Sequence, residues 1–399
     1  MGASLRDTIK DLAAAQAHEL VKIRRHLHAN PELSFEEYQT AKYVSNKLRE
    51  YGLSPQEGIA TTGVVVHVEG KNPNKKVLAL RADMDALPIQ EANDVPYKSV
   101  NPGIMHACGH DVHTTSLLGT AKILQQVRNQ FEGTVKLLFQ PGEEKIPGGA
   151  SIMIKEGVLS NPEVSRILGQ HVMPFIDVGK VGFREGMYMA SADEIYITVK
   201  ARGGHGATPH LNVDSVLIAS HLIVALQQVV SRHADPKVPS VLSFGKVIAE
   251  GATNIIPDEV KLEGTFRTMD EPWRAKAKEL IHKIAHGVVE SMGGTCEINI
   301  LKGFPYLKNN PEFTRLAKKA AEDYLGAENV VDLDVWMAAE DFAFYSQEID
   351  ACFYRLGVRN EAKGITSSVH TPTFDIDENA LEVGSGLMAW LAIQELNYR

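Results

Sequence analysis

Apolar and polar positions alternate along the chain with two different rhythms. Over residues 6–53 the apolar residues recur at helical spacing, interrupted at Asn30-Pro31, which predicts two helices. Short apolar runs follow. TGVVVHVEG (62–70) ends at a Gly-Lys-Asn-Pro-Asn turn, and KKVLALRADMD (75–85) runs into acids; both read as strands. Helical spacing returns over 114–129, with Leu117, Ala121 and Leu124 apolar. GTVKLLFQPGEE (133–144) is a strand that stops at Pro-Gly, VSRILGQHV (164–172) a second and ACFYRLG (351–357) a third, before a closing helix over 378–397. Strands alternating with helices predict an α/β sheet covered on both faces.

A second pattern occupies residues 192–302. DEIYITVKA alternates as a strand, and 213–232 is helical through Val216, Ile218, Ala219, Leu222 and Ala225. SVLSFGKVIA and DEVKLEGTFRT are strands, 271–291 is a helix and TCEINIL a strand. The order β-α-β-β-α-β is that of a ferredoxin-like α+β half-sandwich. The fold class expected is α/β. One domain is formed by 1–191 and 303–399, with a second, 192–302, inserted into it.

Composition narrows the partners. Of 399 residues 44% are hydrophobic and 23% charged, enough for sizeable cores, and the net charge is −9. That balance argues against nucleic acid, and an anionic substrate would need a local arginine. No run approaches about 18 consecutive apolar residues, so no membrane partner is expected. The MGAS start matches only the front of a myristoylation pattern, since Arg6 stands where Ser or Thr is required. Cys108, Cys296 and Cys352 are too few and scattered for a disulfide framework, which points to a reducing cytoplasm.

The metal-capable residues fall where the strands end. Asp83 and Asp85 follow one strand, Glu143 and Glu144 another, and His171 closes a third, while His106, Cys108 and His110 precede the 114–129 helix. In α/β sheets the carboxyl ends of strands form the ligand crevice. Cys108 and His110, two apart in an extended loop, would point to one side, and thiolate and imidazole suit zinc and its neighbours. The bland alternative is a histidine-rich loop capping a helix, with Asp111 as N-cap. Of the pair Glu143-Glu144, one acid can ligate while the other moves a proton; alternatively the pair is a solvated turn.

RRHLHANPELSFEE (24–37), RADMDALP (81–88), MHACGHDVHT (105–114), FQPGEE (139–144), GGHGATPH (203–210), NIIPDE (254–259), GTFRT (264–268), AEDFAFYS (339–346) and VHTPTFDID (369–377) occur in that order. Together they resemble the metal-dependent amidohydrolases that include N-acyl-amino-acid amidohydrolases, hippurate hydrolases and plant indole-acetyl-amino-acid hydrolases. The likeness spans about residues 15–395. It implies a catalytic α/β domain with a mixed sheet and an inserted ferredoxin-like lid. It implies metal ligands at Cys108, His110, Glu144, His171 and His370, with Glu143 as general base and Asp83 supporting a ligand histidine. Arg81 stands where the wider superfamily commonly has a histidine, and Cys108 where it has a bridging acid. The resemblance also implies that His205 stabilises the oxyanion, in the partner subunit's active site, and that Asn254 and Arg267 hold the substrate's carboxylate.

The function this implies is hydrolysis of N-acyl-L-amino acids with one or two divalent ions (Zn, Mn, Ni or Co), by a homodimer joined through the lid or a higher homo-oligomer. An alternative is a carboxypeptidase or dipeptidase acting on small N-blocked peptides. Two further readings stay open: Cys108 as a nucleophile, and a non-catalytic protein that binds amino-acid conjugates.

Overall fold

A computed structural model describes residues 4–398 of the chain. Residues 1–3, the front of the partial myristoylation pattern, lie outside the described residues. The chain opens with α1 (Leu5–Ala29), α2 (Tyr38–Glu50), β1 (Gln56–Ile59), β2 (Gly63–Glu69), β3 (Val77–Asp83) and α3 (His110–Gln126). It continues with β4 (Thr134–Gln140), α4 (Gly149–Lys155), β5 (Arg166–Asp177) and β6 (Val181–Phe183). Next come β7 (Asp193–Lys200), β8 (Gly204–His205), α5 (Ser215–Leu226), β9 (Ser240–Ile248), β10 (Ile255–Ile256), β11 (Glu259–Thr268), α6 (Glu271–Ser291) and β12 (Thr295–Lys302). The last elements are α7 (Pro311–Leu325), β13 (Val330–Asp332), α8 (Ala343–Glu348), β14 (Asp350–Arg359) and α9 (Ala380–Asn397).

Two compact units result. The first contains residues up to Gly186, with Lys308–Asp334 and Asp341–Arg399; the second contains Met187–Leu307 and Val335–Glu340. The short stretch 335–340, expected to run with the returning chain, is tied to the second unit by backbone hydrogen bonds. Trp336 N–H donates to Tyr188, and Ala190 N–H donates to Trp336 and Ala338.

In the first unit the described strands form a mixed sheet in the order β1-β2-β4-β3-β5-β14-β6-β13. β4, β3, β5 and β14 are mutually parallel, while β1 and β2 at one edge and the β14–β6 pair are antiparallel. β3 and β4 are buried along their whole length, as strands covered on both faces must be. Helix α1 starts at Ser4, whose hydroxyl accepts from Asp7 N–H, and buries Ile9, Ala13, Gln16, Leu20, Ile23 and Leu27 at alternating spacings of four and three. That stripe packs on α3 and α9. Each fully buried aliphatic side chain stabilises the fold by about 1.5–3 kcal/mol.

Two expected boundaries differ. α3 begins at His110 rather than 114, because Gly109 takes the left-handed cap position (φ 82°) and Asp111 lies inside the first turn. β5 continues past His171 to Asp177, because β14 pairs with it from Arg166 onward and Arg355 stands opposite His171.

In the second unit β9-β11-β7-β12 form an antiparallel sheet, the ferredoxin-like order. Its core is Ile195, Ile197 and Val199 from β7, Ile218, Leu222 and Leu226 from α5, and Ala277, Ile281 and Val289 from α6. Both helices are capped by aspartate: Asp214 accepts from Val216 and Leu217, and Asp270 from Trp273. Ser215–His233 is long and apolar enough by composition to cross a membrane, with mean hydropathy 1.3, although polar residues interrupt it. It forms α5 and a π-helical turn at Val229–His233, with Ile218, Leu222, Leu226 and Val229 buried in this core.

Candidate metal centre

β3 and β4 end side by side, Asp83 opposite Gln140. Just beyond them lie Asp85 on one strand's exit and Glu143 and Glu144 on the other's. Cys108-Gly109-His110 turns into α3 beneath β5. A Cβ at Gly109 would stand 2.5 Å from Val172 Cγ2, so the turn requires glycine both for its φ and for its space. His370 follows β14 in a loop, with a left-handed backbone (φ 61°) and its N–H bonded to Ala107 O at 2.8 Å. A non-glycine residue in that conformation is held there by its surroundings, a frequent property of functional sites.

These segments converge. Cys108 Sγ lies 3.4 Å from His171 Nε2 and 3.3 Å from His370 Nε2. His370 Nε2 is 3.3 Å from Glu144 Oε1. His110 Nε2 faces Asp83 Oδ2 at 3.7 Å and Glu143 Oε2 and Glu144 Oε1 at 3.9 Å each. The sets Cys108/His110/His171, Cys108/Glu144/His370 and His110/Glu143/Glu144 each place one ligand atom per residue within 4.8 Å of the others.

The ring orientations are fixed from behind. His171 Nδ1–H donates to Val172 O at 2.7 Å, a carbonyl that can only accept, which leaves Nε2 as the lone-pair nitrogen. His110 Nδ1 bonds Asp85 twice, to the carbonyl at 2.9 Å and to Oδ1 at 3.1 Å, and so turns Nε2 into the cluster. Glu144 N–H donates to Asp85 Oδ2 at 2.9 Å. Glu143 Oε1 accepts from Asp341 N–H at 3.4 Å. The Asp341 carboxylate is held by Arg81 at 2.6 Å, Gln140 at 2.8 Å and Ala150 N–H at 2.9 Å.

The charge balance indicates what would fit. His110 Nε2 is buried with no hydrogen-bond partner. Burial alone would lower this imidazole's pKa, yet Asp83 and Asp85 hold it at about 10. The Cys108 thiol is pushed well up by burial and then by Glu144, Glu143 and Asp83. The cluster therefore favours positive charge at its centre. Atoms sharing one cation at about 2.0–2.3 Å stand about 3–4 Å apart, which is the spacing found. Thiolate, imidazole and carboxylate together suit zinc or a neighbouring transition metal.

Asp83 is placed differently from the expectation that it supports a ligand histidine. As the last residue of β3 it bonds His113 Nδ1 at 2.6 Å and Arg81 at 2.6 Å. The residue behind His110 is Asp85, two positions further along. His113 accepts from Val172 N–H at 2.8 Å and so links α3, β3 and β5. Asp111, the alternative N-cap, is buried against Arg24 and His28, each at 2.8 Å. His106 is buried outside these ligand groups; its ring nitrogens have no hydrogen-bond partner, and burial lowers its pKa to about 4.

The remaining candidates lie in the second unit. His205 on β8 pairs with Ile255 on β10, and Gly206 N–H bonds Asn254 O at 2.8 Å, so His205 and Asn254 share one small antiparallel ribbon. Both are exposed, and His205 Nδ1 accepts from Ala207 N–H at 3.0 Å. Arg267 sits on β11, half-buried, with its guanidinium 3.4 Å from Met337 O. Sequence reasoning missed Asp85 as the orienting acid. The only available signal was its place two residues after Asp83, since its partners lie 25 and 59 residues away.

Comparisons with known proteins agree with this geometry. Residues 79–394 match the model of peptidase family M20/M25/M40. The chain is 41% identical over 307 residues to the N-acyl-L-amino acid amidohydrolase of Geobacillus stearothermophilus, covering 77% of this chain and 82% of that protein. It is 38% identical over 381 residues to thermostable carboxypeptidase 2 of Saccharolobus solfataricus, covering 95% of each. Among solved structures, the Bacillus subtilis YXEP protein, a dinuclear metal-binding peptidase from the M20 family, matches with TM-score 0.83 and 35% identity over 96% of this chain and 99% of that one. The buried thiol, imidazoles and paired carboxylates thus belong to a chain whose sequence and fold both lead to one assignment: it is a member of peptidase family M20/M25/M40.

Proposed function

We propose that this protein hydrolyses the amide bond of N-acyl-L-amino acids, releasing a carboxylate and a free amino acid. The observation that carries the reading is the convergence of Cys108, His110, Glu144, His171 and His370 around a centre that favours positive charge, with Glu143 at its edge. These five residues would hold one or two divalent ions, Cys108 being common to two of the ligand sets. A bound divalent ion would supply Lewis acidity, lowering the pKa of water and polarising the carbonyl. Glu143 Oε2 takes the proton from the attacking water and passes it to the departing nitrogen. The bond from Asp341 N–H to Glu143 Oε1 keeps that carboxylate oriented through both transfers.

In this reading His205 stabilises the developing oxyanion in the partner subunit's active site, and Asn254 and Arg267 hold the substrate carboxylate. A guanidinium on an acidic chain is suited to that task, because its fork makes two parallel bonds. The protein acts as a homodimer through the second unit, whose helix α5 exposes Val216, Leu217 and Val224. Three free cysteines fit a reducing cytoplasm. The amidohydrolase of Geobacillus supports the substrate class; the carboxypeptidase of Saccharolobus supports a second one, short N-blocked peptides.

The test is a panel of N-acetyl-, N-benzoyl- and indole-acetyl-amino acids and N-blocked dipeptides. The chelated protein is reloaded with Zn, Mn, Ni or Co, and release of free amino acid is measured. Turnover confined to N-acyl amino acids is expected. Turnover confined to blocked peptides favours the second class, and no release from any substrate by metal-loaded protein defeats both in favour of a binding protein.

A further inference from the structure

We propose that the loop 33–37 is a positioning clamp for the reactive carboxylates, with Glu37 fixing the turn that carries Glu143 and Ser34 fixing the Asp85 that orients His110 and Glu144. The inference rests on the reading of Glu143 as proton carrier and adds two residues to its machinery.

Glu37 is fully buried. Its Oε1 accepts from Gly142 N–H at 2.8 Å, the residue immediately before Glu143, and from Phe35 N–H at 2.9 Å. Its Oε2 accepts from the Thr62 hydroxyl at 2.6 Å. All three partners donate, so the carboxylate acts as one acceptor joining the loop, the start of β2 and the catalytic turn. The turn is gripped from the other side too. Gly142 has φ 60°, and a Cβ there would lie 2.4 Å from Phe35 Cζ, so the Phe35 ring closes directly over the backbone. Phe35 itself adopts φ 66°, a left-handed conformation that a phenylalanine takes only when its surroundings impose it.

The second arm runs through Ser34. Its hydroxyl donates to Asp85 Oδ2 at 2.6 Å, the oxygen that also receives Glu144 N–H at 2.9 Å. Asp85 Oδ1 and its carbonyl take His110 Nδ1. Ala86 N–H bonds Glu32 O at 2.8 Å, which holds the loop beside the strand exit. Two of the three donors that Glu37 satisfies are backbone N–H groups, one of them on the turn that carries Glu143. Burying a carboxylate near Asp85 is costly, and burial followed by the Asp85 charge pushes Glu37 up to about 7.

The two arms predict different losses. Glu37→Ala is expected to lower kcat about 10- to 100-fold, with KM and zinc affinity within about threefold of wild type. Glu37→Gln can still accept from Gly142 N–H and donate to Thr62, and restores kcat to within about fivefold. Ser34→Ala is expected to weaken zinc binding about tenfold or more in competition with a chromophoric chelator. Should Glu37→Ala not fold, Thr62→Val removes one donor at constant shape and lowers kcat about three- to tenfold. The clamp is overturned by Glu37→Ala (or Thr62→Val in its place) with normal kcat, by a well-folded Glu37→Gln that fails to recover, or by Ser34→Ala with wild-type zinc affinity. Glu143→Gln run in parallel separates the two claims. If it turns over normally, the base assignment falls and this inference with it. If it is inactive while Glu37→Ala is normal, the clamp alone falls.

Discussion

His110 and His205 both follow a glycine, and the chain treats them in opposite ways. His110 is fully buried, its Nδ1 bonded twice to Asp85 and its Nε2 aimed at a cluster of acids. His205 is exposed on a two-residue strand, and its ring accepts a single backbone N–H. The same difference separates Glu143 and Glu144 from Asn254. The first unit orients its candidate side chains within itself, by hydrogen bonds to Asp85 and Asp341. The second unit presents its candidates on an open two-stranded ribbon and a strand, without such bracing. Mutations should therefore cost stability as well as turnover in the first unit and turnover alone in the second.

Four measurements sharpen or break this contrast. The largest effect is expected for Glu143→Gln, which should lower kcat roughly 10²–10⁴-fold at unchanged metal content by elemental analysis. Near-normal turnover would remove Glu143 from its role. His205→Ala should lower kcat roughly 10²–10³-fold with no shift in Tm, since the side chain packs against little. A fall in Tm of several degrees would mean that the ribbon is structural and the contrast misplaced. Arg267→Ala should raise KM about 10- to 100-fold for N-acyl amino acids but leave unchanged the turnover of the corresponding amino-acid amides, which lack the carboxylate. Equal losses on both substrates would exclude carboxylate recognition.

The smallest effects come from a pair of glycines. Gly109→Ala meets both the positive φ and Val172, and should cost about 1–3 kcal/mol in denaturant unfolding. Gly206→Ala, whose nearest neighbour would be Asn254 O at 3.5 Å, should stay within about 0.5 kcal/mol. Equal costs at the two positions would contradict the division into a braced and an open region.

Much of this was readable from the residues, and what was not has a common cause. The inserted unit follows directly from local periodicity, because strands such as β7 and β11 alternate and α6 keeps its stripe from Glu271 to Ser291. Cys108, His110, Glu144, His171 and His370 were named by motif, and the fold brings their ligand atoms together. Boundaries failed where a tertiary partner decides them. α3 starts early because Gly109 fits only against Val172, and β5 runs long because β14, far later in the chain, supplies its ladder. The braces failed for the same reason. Asp85, Asp341 and Glu37 act through partners 25 to 260 residues away, and no periodicity encodes such a pairing.

The placement of β14 has a consequence for biosynthesis. This strand lies in the interior of the first unit's sheet, between β5 and β6, and His370 follows it, yet both come after the entire inserted unit in the chain. During translation the inserted unit can fold first on its own short-range contacts, while the sheet that precedes it waits with an open slot beside β5. A nascent polypeptide released before residue 350 would therefore carry Cys108, His110, Glu144 and His171 without the strand that seals them, and activity would arise only as the ribosome finishes.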